Sequence, residues 1–333
     1  MSARSGGLLV RAVLAWALLL GLLACGSSSP AGDVVTGGSS IQNKGSDTMV
    51  NLALAWAQAY AQVRPEVQIA VTGGGSGTGI AALINGTVDM ANASREIKAE
   101  ERQEALGNGI EPVEHVAAGD AIAIVVHPSN PVDGLTIPQL SDIYSGKITN
   151  WQEVGGEDRP IVLLSRESNS GTHVFFLENV VRRGQADDDT LFSPDTLLMP
   201  SSEGISAEVR ENPNAIGYDG LGYVTSDQKV VAVAVEAGEP YVLPTLETAR
   251  DGSYPIARLL YIYTAGEPTG DIADYLAWIQ GTQGQAIVRE LGFVPLQEDT
   301  ATSSGGSHAA QFAGRGSLWY PGVSRSDREE ADG

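Results

Sequence analysis

The chain alternates short apolar runs with breaks rich in Gly, Ser and Thr, and the runs set out the elements in order. The first run, Ala12 to Ala24, follows Arg4 and Arg11 and is too short to cross a bilayer comfortably. The body starts near Ile41 with a short strand before Gly45. Met49, Leu52, Leu54, Ala55, Trp56 and Ala59 predict a helix to about Val63, which Pro65 closes. Val67 to Val71 predicts a strand, the loop Gly73 to Gly79 follows, and Ala81, Leu83 and Ile84 mark a short helix. Val88 to Ala91 predicts another strand, and Glu96 to Leu106 a solvated helix. Strand, loop and helix in alternation predict the α/β class, with a parallel sheet covered on both faces.

The second half repeats the theme. Ala121 to Val126 is a buried strand ending at His127 and Pro128, where the chain crosses into a second lobe. Ile137 to Ser145 is a helix, Thr149 to Trp151 a turn, Ile161 to Ser165 a strand feeding Arg166, and Thr172 to Val181 a helix. Arg182 to Ser193, with Asp187, Asp188 and Asp189 in succession, reads as exposed loop. Ile216 to Val224 reads as the return crossing. Leu259 to Tyr263 predicts a strand, and Ile272 to Ile279 and Gln283 to Leu291 amphipathic helices. Beyond Gln297 the composition turns to Ser, Gly, Ala and mixed charge, the pattern of a disordered tail.

Length is enough for two domains, and the net charge of −21 narrows the partners. A surface that acidic excludes nucleic acid, whose phosphates need stripes of Lys and Arg. It does not exclude one small anion in a closed site, because surface charges are screened beyond roughly 8–10 Å. Cys25 is the single cysteine, so no internal disulfide forms. It ends the segment Leu22-Leu23-Ala24-Cys25, which resembles a bacterial lipobox with Cys25 as the acylated residue; the alternative is a plain signal peptide with an incidental cysteine. Either way the chain is exported, and a Gly- and Ser-rich tether over residues 26–40 follows.

Three loops pass from an apolar strand through Gly, Ser, Thr or Asp into a helix: Gly45 to Thr48, Gly73 to Gly79, and Arg166 to Thr172. A helix start presents unpaired N–H groups and partial positive charge, hydroxyls there donate to an anion, and glycine admits close approach. Arg166 adds a planar fork of donors suited to a tetrahedral oxyanion. The same Ser, Thr and Asp residues also serve as ordinary N-caps, so each loop alone has two readings. The Gly73 to Gly79 loop lacks the lysine of a P-loop, and Gly77 to Ala82 matches a dinucleotide fingerprint only in degenerate form. Ser76 does not sit in a nucleophile elbow. His173, just past Thr172, is the histidine nearest a candidate loop and reads as a helix-face residue. No His, Asp or Glu cluster has metal spacing. The residues therefore supply no nucleophile, base or metal set, which points to a binder without cofactor rather than an enzyme.

From Ile41 to Leu296 the chain resembles the phosphate-binding proteins of bacterial phosphate ABC transporters, a branch of the type II periplasmic binding proteins. Lys44 to Thr48, Gly74 to Gly79, Val88 to Arg95, Leu140 to Trp151, Arg166 to Thr172 and Gly292 to Leu296 carry the resemblance, in that order. It implies two α/β lobes with the ligand cleft between them and closure by a hinge. Lobe I would be residues 41–120 plus 225–298, lobe II 121–224, and the tail 299–333. It implies phosphate contacts at Ser46, Asp47, Thr48, Ser76, Ser94, Arg95, Arg166, Ser170, Gly171 and Thr172. Arg95 departs from the family, some members of which carry there an aspartate that accepts the phosphate's proton. Asp47 or Glu167 is left to reject sulfate, with Asp47 favoured because its loop is a matched contact loop. The implied partners are inorganic phosphate, the permease subunits of an importer and the membrane through a lipid anchor, with the protein itself a monomer. Another tetrahedral oxyanion such as sulfate or molybdate is the nearest alternative, and an exported phosphatase-like enzyme or an adhesin on the same fold a more distant one.

Overall fold

A computed structural model describes residues 39–296. Cys25, the leader, the tether as far as residue 38 and the tail from 297 lie outside the described residues. Strand β1 (Ser40–Gly45) takes up the last residue expected in the tether, and it pairs in parallel with β2 (Gln68–Thr72) and β3 (Met90–Ala93). Helix α1 (Val50–Val63) joins β1 to β2 and buries Leu52, Ala53, Trp56 and Tyr60, while Leu54, expected among its apolar positions, is exposed. Helix α2 (Ser76–Ile84) joins β2 to β3, and α3 (Ala99–Gly107) leads to β4 (Pro112–Val126).

Strand β4 is 15 residues long, and its neighbours change along its length. Residues 112–121 pair antiparallel with β10 (Ala257–Ala265), which in turn pairs with β3. From Ile122 to Val126 the same strand pairs with β8 (Ala215–Gly220) and, from Ile124, with β9 (Lys229–Ala234). A second lobe is thus hung on the far end of one strand. Its sheet continues through β6 (Val162–Arg166) to β7 (Leu197–Met199), while β5 (Gly134–Thr136) pairs with β9. Helices α4 (Ile137–Tyr144), α5 (Gly171–Phe176), α6 (Ser202–Glu211) and α7 (Leu246–Asp251) belong to this half. After β10, α8 (Gly270–Gln280) and α9 (Thr282–Glu290) follow on the first half.

The cores follow this division. Trp56, Met90, Leu260, Ile262 and Tyr275 share one cluster, while Ile124, Leu140, Tyr144, Phe176, Tyr218, Val231 and Val233 share another. Phe176 and Tyr218 stack with centroids 3.7 Å apart. The expected boundary at residue 225 is therefore wrong. Tyr223 does pack in the first core, but the chain then returns, pairs β9 with β4 and β5, and buries Ala249, Tyr254 and Ile256 in the second core. The lasting crossing is at Ile256 and Ala257, where β10 begins. The expected helix from Thr172 to Val181 is α5 followed by a wider π turn over Leu177–Val181.

Gly79 shows how tightly the first lobe is built. A Cβ there would stand 2.5 Å from the Lys44 carbonyl oxygen and 2.6 Å from the Gly45 Cα, both backbone atoms that cannot step aside. We expect Gly79→Ala to destabilise the protein by about 1–3 kcal/mol, the usual cost of overpacking, read as a lower urea midpoint with an unchanged slope.

Candidate functional site

The three Gly/Ser/Thr loops meet where the two lobes touch. Thr48 lies in the turn Asp47–Met49 that precedes α1, and its hydroxyl is 2.8 Å from that of Thr172 in α5. Ser76 opens α2, and its Oγ accepts the Ser94 backbone N–H at 3.0 Å and lies 3.3 Å from the Ser94 hydroxyl. Ser170 caps α5 by accepting the Thr172 N–H at 3.2 Å. Gly171 stands against this group: a Cβ there would run into the hydroxyls of Ser76 and Ser94. Only a glycine lets the third loop come so close to the second. Thr48, Ser76, Ser94, Ser170 and Thr172 are all buried.

Asn169 joins the lobes beside this group. Its carbonyl accepts the Gly77 N–H at 3.0 Å, and its side chain donates to the Gly74 carbonyl at 3.0 Å and to Thr78 Oγ1 at 3.3 Å. Gly75 meets Asn169 with φ +88°, a backbone conformation that side chains resist.

Arg166 is 1% exposed and ends β6. It donates to Asp47 Oδ2 at 2.9 Å, Ser202 Oγ at 3.0 Å, and the carbonyls of Pro200 at 3.1 Å and Met199 at 3.4 Å. Its ion pair with Asp47 spans the two lobes. Asp47 also accepts the Gly74 N–H at 2.9 Å, so each of its oxygens holds one hydrogen bond that fixes the carboxylate in place. Glu167, the other candidate, is exposed. Behind Arg166 lies Asp219, fully buried in β8. Burial raises its pKa to about 7, against a hydrogen bond from Ser202 and the charge of Arg166.

A second buried arginine was missed. Arg258 opens β10, directly across the ladder from Asp120 of β4, and the two are 2% and 0% exposed. Arg258 Nε and Nη2 both donate to Asp120 Oδ2, at 3.0 and 2.8 Å. Nη2 also reaches Thr172 Oγ1 at 2.9 Å and Thr48 Oγ1 at 3.4 Å, and Nη1 donates to the Ser94 carbonyl at 2.8 Å. Burial raises the Asp120 pKa, and Arg258 opposes it. The signal in the sequence was a charge at the edge of each of two apolar runs, Asp120 before Ala121 and Arg258 before Leu259.

One expected contact is directed elsewhere. Arg95 turns from the hydroxyls to Glu101, with bonds of 2.6 and 2.8 Å, and to the Glu96 carbonyl. Although burial works against it, Arg95 and the Lys98 backbone hold the Glu101 carboxyl below its ordinary pKa. Ser46 is buried, but its hydroxyl has no hydrogen-bond partner among the described residues. His173 bonds Ser165 at 2.9 Å and packs on Phe192 at 4.6 Å, and burial lowers its pKa, as suits a packing residue. Among the described residues no group of three His, Cys, Asp or Glu is placed to hold a metal.

Residues 31–282 match the PBP superfamily domain. The phosphate-binding protein PstS of Pseudomonas aeruginosa is 33% identical over 278 residues, covering 78% of this chain and 84% of that protein. The Bacillus subtilis phosphate-binding protein PstS is 31% identical, covering 83% and 87%. A substrate-binding protein assigned to a phosphate ABC transporter of Clostridium perfringens, solved with bound phosphate, is 32% identical with a TM-score of 0.69, covering 78% of this chain and 100% of that one.

Asp219 gives the site a pH signature. Its carboxyl ionises near 3.8 in the unfolded chain and about 7 in the folded one. Between those values only the unfolded chain gains by ionising, so this group lowers stability as pH rises, by about 1.4 kcal/mol per unit. Urea titrations of the parent and Asp219→Asn across pH about 4 to about 7 should show the parent losing stability relative to the variant. Parallel curves would mean that Asp219 is ionised throughout.

Proposed function

The chain belongs to the PBP superfamily, in its PstS phosphate-binding branch, and from that premise we propose that it binds inorganic phosphate between its lobes and delivers it to the permease subunits of an ABC importer. It is a binding protein of that family and not an enzyme. The observation that carries the reading is the meeting of Thr48, Ser76 and Ser94 of one lobe with Ser170, Gly171 and Thr172 of the other. Neutral hydroxyl and N–H donors from several directions suit a small oxyanion taken out of water. Arg166 closes the arrangement by pairing with Asp47 across the cleft. A relative's likeness in sequence leaves sulfate and molybdate as the competing ligands, because all three anions are tetrahedral.

Calorimetry with phosphate, sulfate and molybdate tests the ligand. Phosphate should bind most tightly, and Arg166→Ala should weaken it roughly 10- to 150-fold, the worth of a charge-assisted hydrogen bond. Tighter sulfate binding by the parent would overturn the phosphate reading. Unchanged phosphate affinity in the variant would remove Arg166 from the site.

The same proposal places the protein outside the cytoplasm, held to a membrane by lipid on Cys25. Acyl chains contribute about 0.8 kcal/mol per buried CH₂, enough in total to retain a soluble body at a bilayer. Cys25→Ser should move the protein from the membrane pellet to the soluble fraction. A variant that still pellets refutes the anchor.

A further inference from the structure

We infer that Arg258 is an anion-binding residue of this cleft, and that Asp120 is the positioning residue that holds its guanidinium towards the hydroxyls. The inference rests on the reading of the cleft as a phosphate site.

Three observations support it. First, the Arg258 guanidinium touches three of the converging segments: Thr48 before α1, Ser94 after β3 and Thr172 in α5. Arg166 touches none of these hydroxyls; its bonds go to Asp47, Ser202 and two carbonyls. The cation nearest the hydroxyl cluster is therefore Arg258. Thr172 Oγ1 is 2.9 Å from Nη2. An anion oxygen bonded to that hydroxyl lies within about 6 Å of the cation, close enough for direct attraction.

Second, the guanidinium is preset. Two of its nitrogens bond one oxygen of Asp120, and its carbon lies 5.5 Å from the centre of the Phe175 ring. Asp120 and Arg258 are register partners on adjacent strands, so the backbone ladder holds the pair. A donor already in place loses little freedom on meeting a ligand.

Third, a purely structural pair has no need of this position. A buried ion pair contributes little net stability compared with apolar residues of similar size. This one sits where β4 exchanges neighbours between lobes, and its free side faces two threonine hydroxyls from different lobes.

The test uses opposite signs. Arg258→Lys keeps a charge for Asp120 but loses the fork, and the double variant Arg258→Gln with Asp120→Asn removes both charges without stranding either. Phosphate calorimetry should show affinity falling about tenfold in the first and on the order of 100-fold in the second, with cooperative melting retained. Asp120→Asn alone keeps an amide oxygen in place to accept from the guanidinium but leaves the charge of Arg258 uncompensated, so phosphate should raise its melting temperature more than it raises the parent's. Damage to the fold would lower affinity in all three variants, and only an anion-facing Arg258 reverses the sign in the last. Parental affinity in Arg258→Lys, or a smaller phosphate shift in Asp120→Asn, overturns the inference; Arg258→Lys decides the matter if the double variant does not fold. A parent that binds sulfate but no phosphate refutes the phosphate reading while leaving the same variants to be titrated with sulfate.

Discussion

A carboxylate in the middle of a buried strand must have a partner, and much of this architecture follows from the partner that Asp120 has. Residues 117–126 of β4 are all buried, and Asp120 is the one charge among them. An ionised group there without a counter-ion would cost several kcal/mol. Arg258 answers it from the facing position of β10. One residue later β4 leaves β10 for β8, so the pair stands at the junction of the two lobes. The planar guanidinium has donors left over, and these reach Thr48, Ser94 and Thr172. Segments far apart in the chain are thereby set against one rigid group.

The same rule sorts the other arginines. Arg166, in the second lobe, is buried and takes Asp47 from the first, so bringing the lobes together satisfies both charges. Arg95 has Glu101 six positions away on its own segment, and that local pair removes it from the cleft. The nearest carboxylate, more than the position of an arginine in the chain, decides where its charge is directed. Each of these cations carries its own anion, so the cleft is close to neutral within a protein of net charge −21. Recognition then falls to short-range donors, which distant acidic residues do not oppose.

These pairings also explain what the sequence revealed and what it hid. Long apolar runs such as Ala121 to Val126 were legible because burial on both faces leaves no polar residue to confuse the period. The first half of β4 was not, because Glu114 and His115 interrupt it and the strand is only partly buried there. The strands β5 and β7, of three residues each, are too short to show a period. Helix α6 was hidden because Ile205 and Val209 are its only large buried apolar residues. The return crossing was misplaced because Tyr223 does touch the first core before the chain doubles back. In the cleft, loop composition marked Thr48, Ser76, Ser170 and Thr172. It could not mark Arg258, whose place depends on a strand register formed across 138 residues of chain.

A cleft whose hydroxyl and N–H donors are split between two lobes has a consequence for release. With an anion in place, Thr48, Ser76 and Ser94 would hold it from one side, and Ser170, Gly171 and Thr172 from the other. Separating the lobes withdraws half of these donors together and restores water to the rest, so the anion needs no change in its own charge to leave. What opposes that separation is local and includes the Asp47–Arg166 pair, the three bonds of Asn169, the bond from Asn51 to Glu203, and the contacts of Thr172 with Thr48 and Arg258. Each contributes on the order of 1 kcal/mol, or somewhat more for the charged pair. The total is comparable to the differential binding by which a partner shifts a two-state equilibrium. A docking protein that gripped the lobes in their separated arrangement would therefore have enough leverage to empty the cleft.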